Sequence, residues 1–103
     1  DKTEALTAID VNSGKFTGKE NIEKTALKVN KEASIEIAKQ LRLRDIGGII
    51  IIDYIDMNEE SSKEEIIELL KENLKEDRAK TQVMEFTKLS LLEITRKHIF
   101  SEE

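Results

Sequence analysis

An α/β fold, a single βαβαβ layer over a parallel or mixed sheet, is what this 103-residue chain predicts, with α+β as the variant left open. Three observations predict it. The chain opens on a segment that alternates at the period of a strand, and two later segments repeat apolar residues at helical spacing. Between those two runs Ile49-Ile50-Ile51-Ile52, β-branched and apolar on both faces, which reads as a strand inside a sheet. Strands alternating with helices imply right-handed crossovers.

Taken in order, Ala5 to Asn12 form the first strand, with Leu6, Ala8, Asp10 and Asn12 on one face and Ala5, Thr7, Ile9 and Val11 on the other. Ser13, Gly14, Thr17 and Gly18 make a turn-rich loop. A long amphipathic helix follows through Ile22, Ala26, Val29, Ala33, Ile37 and Leu41. It should end before Gly47-Gly48, where glycine can adopt the left-handed conformation that closes a helix, with Arg42 and Arg44 at the negative end of its dipole. After the isoleucine strand and a turn over Asn58 to Ser62, Ser61-Ser62-Lys63-Glu64-Glu65 offers two overlapping capping boxes that start a second helix. Its stripe is Ile66, Ile67, Leu70 and Leu74, ending near Asp77. Thr81 to Phe86 then resume a strand pattern. Leu89 to Ile99 satisfy a helical count through Leu89, Leu92 and Arg96 as well as a strand count through Leu92 and Ile94.

Composition narrows the chemistry. Apolar and charged residues each make up 38% of the chain, and 14 isoleucines need burial, so it is globular, with room for one core. The longest uncharged apolar run, Ile46 to Ile52, is far shorter than the roughly 20 residues that span a bilayer. There is no cysteine, hence no disulfide and no thiolate zinc site, and a cytoplasmic address is the default. The single histidine, His98, excludes chemistry that needs a histidine pair but leaves carboxylate-based metal chemistry open. It stands beside Arg96 and Lys97 and reads as solvated. A net charge of -5 disfavours nucleic-acid binding through the overall field. Lys39, Arg42 and Arg44, and again Arg78 and Lys80, are either local basic patches or solvated helix ends. The start at Asp1, without methionine or a signal segment, reads as a piece of something longer.

In a parallel βαβ unit the carboxyl ends of both strands lie at one sheet edge, where open α/β folds bind ligands. Asp10 and Asp53 both fall near such ends. Two carboxylates held together repel unless one protonates or a cation intervenes, and one or two carboxylates with several waters is a usual magnesium arrangement beside phosphates. Asn12 faces the same way and could donate to a phosphate oxygen. Asp56, three residues after Asp53, is a competing ligand. The bland alternative makes these aspartates helix caps or lysine partners. Gly14 and Gly18 are not a phosphate loop, because no Lys-Ser/Thr pair follows them.

Thr3 to Ser13, Gln40 to Met57 and Asp77-Arg78-Ala79-Lys80 together resemble the ribonuclease E/G family, in the expected order and over almost the whole chain. The resemblance implies a deoxyribonuclease I-like catalytic subdomain, residues 1–103, of an endoribonuclease that cleaves single-stranded RNA in ribosomal and transfer RNA processing and mRNA decay. It implies magnesium-dependent hydrolysis leaving 5′-phosphate and 3′-hydroxyl ends. Asp10 and Asp53 match the family's metal-holding aspartates and Asn12 its orienting asparagine. Lys80 matches a basic residue of the pocket that senses a 5′-monophosphate, where the family often has arginine. Lysine there lacks the bidentate fork. Single-stranded RNA rather than DNA is the implied partner. The full-length family is a homo-oligomer that shares zinc through a cysteine pair absent from this chain. A non-catalytic α/β interaction module is the alternative.

Overall fold

The computed structural model describes residues 5–11 and 22–99, in the order β1 (Leu6–Asp10), α1 (Ile22–Leu43), β2 (Gly48–Asp53), α2 (Glu60–Leu74), β3 (Thr81–Phe86) and β4 (Leu91–Arg96). The strands form one mixed sheet in the order β1-β2-β4-β3. β1 and β2 pair in parallel through the α1 crossover, and β4 lies antiparallel to both β2 and β3. This is the expected α/β layer, with a fourth strand added. The loop of Ser13, Gly14, Thr17 and Gly18 lies outside the described residues.

The segment whose period was ambiguous is thus a strand, and its hairpin explains why. Thr87 Oγ1 accepts the amides of Leu89 and Leu91, both at 3.2 Å, while Ser90 turns the chain at φ 62°. Leu89, which a helix would have buried, is 77% exposed at the turn. Beyond it Leu92 and Ile94 pair with Ile52 and Ile50, and all four are fully buried.

Register sorts the sheet into two faces. Ile50, Ile52, Leu92 and Ile94 share one cluster with Ala26, Ile37, Ala38 and Leu41 of α1 and with Ile66, Leu70 and Leu74 of α2, so both helices cover the same face. Leu6, Ala8, Ile49, Ile51 and Glu93 line the other face, which no described element covers. No described helix is long and apolar enough to cross a membrane.

Three local expectations change. The buried stripe of α1 runs through Ala26, Asn30, Ser34, Ile37, Ala38 and Leu41, with two polar residues in it, while Val29 and Ala33 are only half-buried. Asp45, at φ 48°, closes α1 rather than a glycine, and the Ile46 amide reaches back to the Leu41 carbonyl at 3.0 Å. α2 begins at Glu60, ahead of both serines of the expected capping boxes, and its N-cap Glu59 makes no side-chain cap bond. Glu23 of α1 instead fastens the two residues just before α2, accepting the Asn58 amide at 2.9 Å and the Glu59 amide at 3.2 Å.

Candidate active site

Asp10 and Asp53 close β1 and β2 and are direct partners in the parallel register. Neighbouring strands lie about 4.8 Å apart, and paired residues of a parallel ladder point to the same side. One residue earlier Ile9 and Ile52 turn toward the helices, so the two aspartates turn to the open face, and both are exposed. The Val11 amide donates to the Asp53 carbonyl at 3.0 Å, which carries the pairing one residue beyond Asp10. Asn12 comes next and lies outside the described residues.

Among the described residues neither carboxylate has a hydrogen-bond or ion-pair partner, and no third carboxylate or histidine joins them in a metal-binding group. Asp56 is exposed on the loop after β2 and does not complete such a group. Two hard oxygen donors side by side, with no cation among the described residues paired to them, suit a magnesium ion that keeps several waters.

The loop that leaves Asp53 is fastened to α1 by residues that hydrophobic patterning passed over. Asn30, fully buried, grips Ile55 with both ends of its amide: Nδ2 donates to the Ile55 carbonyl at 2.9 Å, and Oδ1 accepts the Ile55 amide at 3.1 Å. Ser34 Oγ donates to the Asn30 carbonyl at 2.8 Å, so the Tyr54 hydroxyl, 2.6 Å away, is the donor to Ser34. Burial pushes Tyr54 up to about 12 against a partial offset from Ser34. The Asn58 amide, outweighing partial burial and helped by the Glu59 amide, holds the Glu23 carboxyl below its ordinary value. The sequence signal was there: Asn30 and Ser34 stand four residues apart on the stripe between Ala26 and Ala38, where polar residues must have partners.

Lys80 is not near the aspartates. It precedes Thr81, which pairs with Arg96, which in turn pairs with Gly48, the end of β2 opposite to Asp53. Along β2 alone the separation is roughly 17 Å at ~3.3 Å per residue. Lys80 is exposed and lines a groove of about 720 Å³ between α2 and β3, whose α2 side carries Lys71 and Lys75 together with the exposed Glu68 and Glu72. Arg42 is engaged elsewhere, donating to the Asn73 carbonyl at 2.8 Å near the end of α2. His98 is about half-exposed, its Nδ1 3.0 Å from the Asp45 carbonyl, and its ring fills the space that a side chain on Gly47 would need.

A model of the Ribonuclease E/G family matches residues 1–99. The chain belongs to that family. Ribonuclease G of Escherichia coli strain K12 is 50% identical over 97 residues, covering 94% of this chain and 20% of that protein. Ribonuclease E of a Synechocystis strain is 50% identical over 95 residues, covering 92% of this chain and 14% of its own length. Ribonuclease E of Buchnera aphidicola is 50% identical over 101 residues, covering 98% and 10%. This ribonuclease E/G chain therefore spans a fifth or less of the length of these relatives, and its two paired aspartates lie within the matched segment.

Proposed function

We propose that residues 1–103 form the catalytic subdomain of a cytoplasmic, magnesium-dependent endoribonuclease that hydrolyses single-stranded RNA to 5′-phosphate and 3′-hydroxyl ends. The observation that carries this reading is the in-register pairing of Asp10 with Asp53 at the carboxyl ends of adjacent parallel strands. Relatives named as ribonucleases support the reaction class.

Asp10 and Asp53 would hold the magnesium ion, and Asn12 would orient the scissile phosphate. When bound, the ion stabilises charge on the phosphoryl oxygens and favours attack by water on phosphorus. The chain's own contribution is placement. The β1–β2 ladder fixes the spacing of the two carboxylates, and Asn30, Ser34 and Glu23 anchor the loop that follows Asp53. Rigid elements of this kind keep donors aligned without reorganisation during the reaction. Lys80, at the far end of the sheet, would contact a 5′-terminal phosphate. In the full-length enzyme we expect a homo-oligomer, with zinc held by cysteines outside this chain.

The test is substitution in the full-length enzyme. Asp10→Asn and Asp53→Asn should each cut turnover by several orders of magnitude with RNA affinity nearly unchanged, and Asn12→Ala should cost about 10²-fold to 10³-fold, as for other single transition-state donors. Calorimetric magnesium titration should weaken in both aspartate variants. A folded, RNA-binding variant at Asp10 or Asp53 with near-full turnover would return these residues to a structural role.

A further inference from the structure

Arg96 ends β4 with its side chain fully buried. A guanidinium in that position is strongly unfavourable unless its donors are met, and replacing such a charge with an apolar side chain is often neutral or stabilising. Here the donors are met by two separate turns. Nε and Nη2 form a fork onto Asp77, at 2.8 Å to Oδ2 and 3.0 Å to Oδ1. Nη1 reaches Asp45 Oδ1 at 2.9 Å and the Ile46 carbonyl at 3.0 Å. Burial alone would raise the Asp77 carboxyl, but hydrogen bonds from Arg96 and the Ala79 amide outweigh it and hold the group below its ordinary value.

The Asp77 half of this network leads directly to Lys80. Asp77 Oδ1 also accepts the Ala79 amide at 3.1 Å, a turn that sets the direction of the next residue. The Lys80 carbonyl accepts the amide of Lys97, the neighbour of Arg96, at 2.9 Å. The backbone of Lys80 is therefore held on both sides by groups tied to Arg96. Asp77 lines the same groove as Lys80, so its charge, if unpaired, would oppose any anion there. The fork offsets that charge, in a groove that also carries Glu68 and Glu72, and fixes the plane of the carboxylate.

We propose that Arg96 is a positioning residue for recognition of an RNA 5′-phosphate: through Asp77 it orients the Asp77–Lys80 turn and offsets the Asp77 charge beside Lys80. This rests on the reading of Lys80 as the phosphate-contacting cation. Asp45 provides the contrast, since it binds the same guanidinium from the other turn and accepts the Ile99 amide at 3.0 Å.

The experiment compares paired RNAs, identical except for a 5′-monophosphate or a 5′-hydroxyl, in the full-length enzyme and its Arg96→Lys, Asp45→Asn and Lys80→Ala variants. Arg96→Lys keeps the charge and loses the fork. It should raise KM for the monophosphorylated RNA several-fold relative to the hydroxyl RNA, leaving the kcat ratio unchanged. Asp45→Asn should lower Tm without changing the preference, and Lys80→Ala combined with Arg96→Lys should lose no more preference than Lys80→Ala alone. If Arg96→Lys folds poorly, Asp77→Asn carries the same comparison. Equal losses on both RNAs in Arg96→Lys, tracking Tm as in Asp45→Asn, would reduce Arg96 to a structural role while leaving the Lys80 reading intact. An unchanged preference in Lys80→Ala would overturn that reading and this inference with it.

Discussion

Tyr54 illustrates how a single buried hydroxyl links the loop after β2 to the stability of the whole chain. Its proton points to Ser34, whose own proton goes to the Asn30 carbonyl, so ionising the phenol would bury a charge that Ser34 offsets only in part. Burial pushes its pKa to about 12 in the fold, whereas an unfolded tyrosine ionises near pH 10. A raised folded value means that the contribution is complete below about pH 10 and fades as pH climbs through that range toward the folded value, because the unfolded chain releases its proton first. Tyr54→Phe removes this linkage along with the bond to Ser34. The variant should be less stable at pH 8 by about 0.5–1.5 kcal/mol, the usual net value of one hydrogen bond. Urea melts should bring the two proteins closer together by pH 11; a constant difference across that range would contradict the linkage. Glu23 works with the opposite sign. Its folded value is depressed, so its contribution is complete above about pH 4.3, the unfolded glutamate value, and is lost as pH falls through the folded value. Glu23→Gln should flatten that part of the acid limb, which an acid titration of the two proteins by circular dichroism would show.

At the scale of elements, β2 is where the site and the core meet. It lies between β1 and β4, with Ile50 and Ile52 fully buried and Asp53 at its exposed end. Its amides should be among the slowest to exchange with solvent. Exchange at Ile50 or Ile52 as fast as at the turn before α2 would contradict an interior position. Its first residue is constrained as well. Gly48 has φ 92°, and a Cβ there would come within 2.4 Å of the Ala5 carbonyl oxygen, the acceptor of the Ile49 amide at 2.9 Å. Gly48→Ala should therefore cost about 1–3 kcal/mol of backbone strain or more. It should also speed exchange in β1 more than in β4, since the displaced bond starts the β1–β2 ladder that registers Asp10 with Asp53. Much of this was legible from the sequence. The isoleucine run announced an interior strand, and apolar period placed α1, α2 and β3. What escaped was written in polar residues. Hydropathy counts treat Asn30 and Ser34 as breaks in a pattern, but both, like Arg96, lie in the buried register, where satisfied hydrogen bonds let a polar group replace an apolar one. The hairpin before β4 escaped for another reason: its turn is made by Thr87 and by Ser90 at positive φ, without the glycine that would have marked it.

For the molecule as a whole, the sheet separates the two proposed tasks. The paired aspartates sit at one end, and Lys80 with its groove at the other. The aspartate pair could be read from the sequence because strand ends in a βαβ unit share an edge, whereas the distance to Lys80 depended on β4 lying between β2 and β3, an order that no local pattern encodes. The separation bears on what the chain can do alone. A flexible single strand held at one end gains little positional order at the other unless further surfaces guide it, and positioning supplies a large part of the rate in reactions of this type. The chain's net charge of -5 offers no attractive field to compensate, and the exposed candidate site residues, Asp10 and Asp53, are themselves anionic. The isolated 103-residue chain should therefore cleave single-stranded RNA poorly or not at all in magnesium buffer. Its residual RNA binding should weaken as salt rises, because it would rest on lysine–phosphate contacts. A cleavage assay with the purified chain, beside its Asp10→Asn variant, decides the matter. Robust magnesium-dependent cleavage that Asp10→Asn abolishes would show that the aspartate pair and its anchored loop capture a scissile phosphate unaided.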